Sequence, residues 1–397
     1  MERLIGARQS YDWGSTTAIP ELLGERPDNH PWAEQWYGSH PCGPTRLAVG
    51  PRTLADLIDA DPQRLLGEDV VRQFGPQLPF LLKLIAPDQA LSLQVHPSLE
   101  QATEGFQLEN EAGLALDDPA RSYKDANHKP EMVLALSRYE AVAGFRAPRR
   151  AAEVLAGLDS ALAHRMRRTL RLNPTRFGIR QVFTDLVSED ARPTTVEIDE
   201  LVAEIAARIS QGASPSPRVD ANAVVMARAF PGDPGVAAAL LLNPVTLQPG
   251  EALFVPAGSV HAYISGLGVE IMASSDNVLR AGLTSKHVDV PEMLACVDYV
   301  AAPPVRPAPE YLSHATRAYY APVDDFELLV TTVVPADGRV QVPGRGPRIL
   351  LATQGRTTVT SPAGRQTLAC GQALFVGADE RVLTIEGEGV VAQADVP

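Results

Sequence analysis

Residues 247–289 read LQPGEALFVPAGSVHAYISGLGVEIMASSDNVLRAGLTSKHVD, and the fold is decided there. Gln248-Pro249-Gly250 is turn chemistry, and Ala252 to Val255 is a short apolar run that Pro256-Ala257-Gly258 breaks. Short β-runs punctuated by proline and glycine are how an antiparallel barrel or jelly roll turns its corners. His261 stands on the next extended run. Ser274, Ser275, Asp276 and Asn277 follow, with Arg280, Lys286 and Asp289 close behind. In a chain with only 21% charged residues, that is a dense concentration of chemistry.

Two earlier stretches supply what this one lacks. In LSLQVHPS (91–98), Leu91, Leu93 and Val95 alternate with Ser92, Gln94 and His96, so the polar side chains share one face of a strand. DANHKPEM (125–132) gathers His128, Lys129 and Glu131. Gln94, His96, Glu131 and His261 together make a four-donor set of nitrogen and oxygen atoms. Without a thiolate, such a set suits zinc or another divalent ion that is not strongly soft. A lone histidine beside a strand is more often a satisfied core residue. The weight lies in three pieces recurring in turn-rich β contexts.

Composition bounds the alternatives. A chain of 397 residues divides into two or three units. A net charge of −13 argues against a nucleic-acid surface, so any anion must be held by a locally basic pocket. No apolar run approaches membrane-spanning or signal-peptide length, and the expectation is a cytoplasmic protein with no membrane partner. Cys42, Cys296 and Cys370 are far apart and odd in number, which argues against a disulfide framework. Only four of the 35 basic residues are lysines, namely Lys83, Lys124, Lys129 and Lys286, and all lie in or near these motifs. Lys83 interrupts the buried-strand run PFLLKLI, where it must reach water, pair, or bind an anion.

The remaining chain sorts by composition. Thr53 caps a short helix, TLADLIDAD. Residues 148–213 are alanine- and leucine-rich at helical spacing, ASPSPR (213–218) reads as a linker, and 222–230 adds one more helix before the sheet resumes near Ala237. AAPPVRPAPE (301–310) marks the boundary of a last unit. LQPGEALFVPAGSVHAYI (247–264) aligns without gaps to LACGQALFVGADERVLTI (368–385), with Val382 at the position of His261. An internal repeat implies a second β-roll, one that has lost the metal.

YDWG (11–14), WAEQWYGSHP (32–41), LSLQVHP, DANHKPEM, FVPAGSVHAY and SDNVLRAGLTSKHVD resemble, in order, the motifs of the type I phosphomannose isomerases of the cupin superfamily. The resemblance runs from Tyr11 to Asp289. It implies a mainly β fold of two or three cupin-like jelly-roll units with an α-helical insertion. The expected division is 1–147 plus 219–300 for the metal-binding roll, 148–218 for the insertion and 301–397 for a C-terminal roll without metal. It further implies a zinc enzyme, one ion per chain on Gln94, His96, Glu131 and His261, that interconverts mannose 6-phosphate and fructose 6-phosphate through an enediol. Such an enzyme supplies mannose 6-phosphate for GDP-mannose and polysaccharide synthesis or feeds mannose into glycolysis. The expected partner is a small phosphorylated sugar, and the expected state is a monomer.

For the catalytic groups, the resemblance places Glu270 in the pocket as the base, with Lys129 and His128 as rival proton carriers. Arg280 and Lys286 offer fixed positive charge for the enediolate or the phosphate. Lys83 and Ser92 complete the phosphate site, and Asp276 orients Arg280 or a sugar hydroxyl. Ser285 departs from the family habit of a proline before the lysine. Two other classes share these residues. Two histidines and a carboxylate also suit a cupin oxygenase with non-haem iron, and a non-catalytic sugar-phosphate-binding cupin would keep the same pocket.

Overall fold

The computed structural model describes residues 1–397 and contains three antiparallel sheets with helices to one side. The six-stranded sheet runs, in spatial order, Ala252–Val255, Glu131–Ala135, Gly268–Ala273, Phe80–Ile85, Glu34–Tyr37 and Ala7–Gln9. The five-stranded sheet runs Leu279–Gly282, Leu93–Val95, His261–Ser265, Tyr139–Phe145 and Leu242–Leu247. Ile85, Val133, Ala141, Val245, Leu253 and Tyr263 fill the space between the two, forming one jelly roll.

Period-two alternation explains why these strands look apolar throughout. Leu82, Leu84, Met132, Leu134 and Ile271 point outward and pack on Phe326, Leu328, Ile349 and Phe375 of the C-terminal sheet. Lys83, Glu131 and Glu270 occur on the other, inward face of the same strands. A sheet covered on both sides reads as a continuous hydrophobic run, broken only where a polar side chain faces the interior. Each large side chain buried at such a junction contributes roughly 1.5–3 kcal/mol.

The outer face of the five-stranded sheet is covered by helices. Val95, Val142, Ala262 and Leu279 pack with Phe183, Ile198, Leu201, Ile205 and Met226. The helix Thr195–Ser210 opens on a capping box in which Thr194 and Glu197 satisfy each other's backbone amides. The helical layer extends past the expected boundary at 218. Pro217 occupies the first turn of the helix Pro217–Ala229, which a proline tolerates there, and the sheet resumes only at Leu242. Asp220, fully buried, takes Arg208 Nε at 2.6 Å and fastens this helix to its predecessor.

The C-terminal unit is a ten-stranded sheet with its own core of Val340, Leu350, Val359, Leu374 and Ile385. Two of its strands come from the other end of the chain. Glu2–Ile5 pairs with Ala373–Val376, and Arg46–Leu47 pairs with Glu2–Ile5. The first residues therefore belong to the last roll, against the expected 1–147 division. In the repeat, Ala252–Val255 and Ala373–Val376 are both fully buried strands. Gly250 and Gly371 hold the same left-handed φ, 86° and 81°, at the turn before them. After that the copies diverge: His261 opens a strand and is fully buried, whereas Val382 lies in a loop, half exposed.

Candidate functional site

Register brings the chemistry together. His261 and Arg280 both lie opposite Gln94 on neighbouring strands of the five-stranded sheet. On the facing sheet, Glu270 lies opposite Lys83, and Lys83 opposite Trp36. Between the sheets is a cavity of about 590 Å³ lined by Ser92, Gln94, Lys129, Glu131, Glu270, Asp276, Arg280 and Lys286. Lys83 lines it as well, deep in the wall and only 5% exposed.

His96, Glu131 and His261 converge at one end. His261 Nε2 lies 2.8 Å from Glu131 Oε1, and His96 Nε2 lies 3.3 Å from Oε2 without a well-directed hydrogen bond. The other ring nitrogens fix the tautomers. His96 Nδ1 donates to the Asn277 carbonyl at 2.8 Å, and His261 Nδ1 donates to the Ser259 carbonyl at 3.0 Å. Both Nε2 atoms therefore turn bare lone pairs toward a carboxylate. Burial pushes His96 down to about 4, so it stays neutral. Burial works to raise the Glu131 carboxyl, and imidazoles holding protons on Nε2 would lower it well below its usual range; with both nitrogens bare, that positive charge is missing. The Gln94 amide sits 3.1 Å from His261 Nε2, and a half-turn of that amide exchanges nitrogen for oxygen at this point. Lone pairs facing lone pairs in a dry site need a cation, and this donor set fits a tetrahedral zinc ion. Tyr263 donates to Glu131 Oε1 at 3.1 Å and orients the carboxylate.

The cavity floor differs from expectation at Lys83. Its Nζ lies 3.0 Å from Glu270 Oε2 and 3.6 Å from Glu34 Oε1, and Trp36 Nε1 donates to Glu34 Oε2 at 2.7 Å. Burial works to lower the ammonium, but Glu270 and Glu34 outweigh it and raise it. A phosphate dianion here would face two buried carboxylates. Lys83 is thus already paired, and Ser92 stands in the cavity wall. Glu270 is raised by burial, with Lys83 opposing.

Positive charge without a carboxylate partner lies on Arg280 and Lys286. Burial lowers both, and each of the two ion pairs with no acid. Leu283, at φ 55°, turns the chain so that Thr284, Ser285 and Lys286 reach the cavity edge. Lys129 also lines the cavity. His128 does not: its Nε2 lies 2.9 Å from Asp325 Oδ2 of the C-terminal unit. Asp276 lines the cavity but bonds to Cys42 and His40 rather than orienting Arg280.

Sequence reasoning missed Tyr11, Trp13, Glu34, Trp36 and Tyr263, all of which line the cavity. Tyr11 and Trp13 stack at 5.6 Å and form an aromatic wall. The signal for Glu34 and Trp36 was present as two alternate residues in WAEQWYGSHP that face one side of a strand.

Residues 1–148 match the family described as phosphomannose isomerase type I, catalytic domain. The mannose-6-phosphate isomerase of Escherichia coli strain K12 is 36% identical over 99% of both chains. That of Bos taurus is 32% identical over 94% of this chain and 92% of its own. A crystal structure of mannose 6-phosphate isomerase bound with zinc and yttrium superposes with a TM-score of 0.90 at 34% identity, covering 100% of this chain and 99% of that one. Buried histidines, a carboxylate and unpaired basic groups around one cavity, matched along the whole length, lead to one conclusion: the chain belongs to the type I phosphomannose isomerase family.

Proposed function

We infer that this chain interconverts mannose 6-phosphate and fructose 6-phosphate by proton transfer between carbons 1 and 2, with zinc as its metal. The observation that carries the reading is a buried, raised carboxyl, Glu270, in the same cavity as Glu131, which His96 and His261 meet from behind, and the unpaired Arg280 and Lys286. Family membership sets aside the oxygenase and non-catalytic readings. Gln94, His96, Glu131 and His261 hold the ion, which supplies a Lewis acid for the sugar oxygens.

The chain's own residues then divide the work. Glu270 accepts the carbon 2 proton of mannose 6-phosphate and returns it to carbon 1, a role suited to a carboxyl that burial raises above its usual range. Lys83 holds Glu270 in place and limits how far burial raises it, and Trp36 and Glu34 hold Lys83. Arg280 and Lys286 bind the phosphate, which keeps its charge throughout, and Arg280 also stabilises negative charge developing on the sugar. Lys129, in the cavity wall, is assigned the transfer of a proton between the two sugar oxygens. Asp276 and Ser92 meet sugar hydroxyls.

Both sheets of the catalytic roll are covered within one chain, by helices on one side and the C-terminal roll on the other, which supports a monomer. No helix is long and apolar enough to cross a membrane, and three free cysteines suit a reducing cytoplasm. The test is a coupled assay for fructose 6-phosphate formed from mannose 6-phosphate. Robust formation is expected, and its absence from zinc-loaded protein contradicts the reading.

A further inference from the structure

A second donor cluster stands at the rim of the same cavity, and two of its three residues, His40 and Cys42, have no part in the isomerase chemistry. The chain leaves the strand Glu34–Tyr37 through Gly38-Ser39-His40-Pro41-Cys42, and this loop folds back over the Trp36 ring. His40 is buried edge-on against Trp36, with ring centroids 5.2 Å apart. Its Nε2 lies 3.5 Å from Asp276 Oδ1, and Cys42 Sγ donates to Asp276 Oδ2 at 3.1 Å. The three donor atoms lie within 4.8 Å of one another.

The cluster is held from behind. The Asp276 amide donates to Asp125 Oδ2 at 2.7 Å, and Ser275 Oγ donates to Asp125 Oδ1 at 2.8 Å. These bonds fix the backbone that carries Asp276. No lysine or arginine pairs with that carboxylate. Gly43, next along the loop, has no room for a side chain, since a Cβ would meet Gln9 and Trp36 at 2.7 Å. Cys42 itself is exposed, so the cluster opens to solvent on one side.

We propose that His40, Cys42 and Asp276 form a second metal site, with water completing the shell, that takes a thiophilic divalent ion such as zinc or cadmium. One thiolate, one imidazole and one carboxylate is a softer set than the all-nitrogen-and-oxygen donors around Glu131, so the two sites differ in preference. Binding displaces the Cys42 thiol proton to solvent. It also moves the His40 ring proton from Nε2 to Nδ1, which gives up the 3.3 Å contact that Nδ1 now accepts from the Cys42 amide. That exchange makes the site weaker than the one around Glu131, and filled only after it.

The test titrates cadmium alone into the full chain already carrying one zinc. The thiolate-to-cadmium charge-transfer band in the ultraviolet reports a sulfur ligand, and the all-nitrogen-and-oxygen site cannot produce it. One saturable equivalent is expected, lost in Cys42→Ser and weakened in His40→Asn, while Cys42→Ser keeps its first zinc and its isomerase rate. Cadmium should also protect Cys42 from alkylation by iodoacetamide in the unsubstituted chain, a readout that needs no variant to fold. Absence of the band, its survival in Cys42→Ser, or undiminished alkylation in the presence of cadmium would each overturn the site.

Discussion

Lys83 carries one positive charge, and which group it serves decides how the catalytic floor works. Its place in PFLLKLI showed that it must pair or bind an anion. The partners, Glu270 and Glu34, lie on other strands and become neighbours only through sheet register, which one sequence does not display. As a phosphate ligand, Lys83 would act on KM, at about 2–3 kcal/mol for a lost charge-assisted contact. As the partner of Glu270 it acts on the chemical step. Lys83→Met should therefore lower kcat far more than it raises KM, whereas Lys286→Met should raise KM and leave kcat largely intact. Steady-state kinetics on both variants separates these outcomes, and the opposite pattern returns the phosphate to Lys83. Glu270→Gln keeps shape but cannot accept a proton, so kcat should fall by roughly a hundredfold or more. If it holds kcat while Lys129→Met abolishes it, the base is Lys129. The metal donors were legible because period two and motif spacing marked them. The direction of His128 was not legible, because it depends on Asp325 in a distant unit.

Elements were legible where local chemistry governs them. The capped helix at Thr53, the helical insertion and the paired ALFV strands follow from caps, spacing and the repeat. Boundaries were not. Ser-Pro at 216–217 reads as a linker, yet proline also starts helices, and the buried Arg208–Asp220 pair that decides between them is tertiary. The repeat likewise holds for the strand and its turn and fails beyond it, where Val382 lies in a loop. The C-terminal roll is thus a support for the catalytic sheet. Phe375→Ala should cost about 3–5 kcal/mol in denaturant unfolding, with zinc content per folded chain unchanged. Loss of zinc from a folded Phe375→Ala variant would give the C-terminal roll a direct part in the metal site.

At the scale of the whole molecule, the chain is stacked in layers, helices on a five-stranded sheet, a six-stranded sheet, then the C-terminal roll, with the first strand closing the last sheet. A buried carboxyl at the end of that last sheet gives stability a pH dependence. Asp395, buried near Arg348 and Glu327, is pushed up to about 7 by burial. The folded chain therefore holds a proton that the unfolded chain releases near pH 4, and this contribution to stability is lost as pH rises from about 4 to about 7. Melting temperatures across that range should fall less steeply in Asp395→Asn than in the unsubstituted chain, and equal slopes would remove Asp395 as the cause. The catalytic reading rests on a cation between two bare imidazole nitrogens and Glu131. Its most direct test is metal analysis joined to turnover of mannose 6-phosphate in protein stripped by a chelator and then reloaded. About one zinc per chain, activity abolished on removal and restored by zinc, is the predicted result. Stoichiometric iron with turnover that survives complete removal of zinc would contradict it.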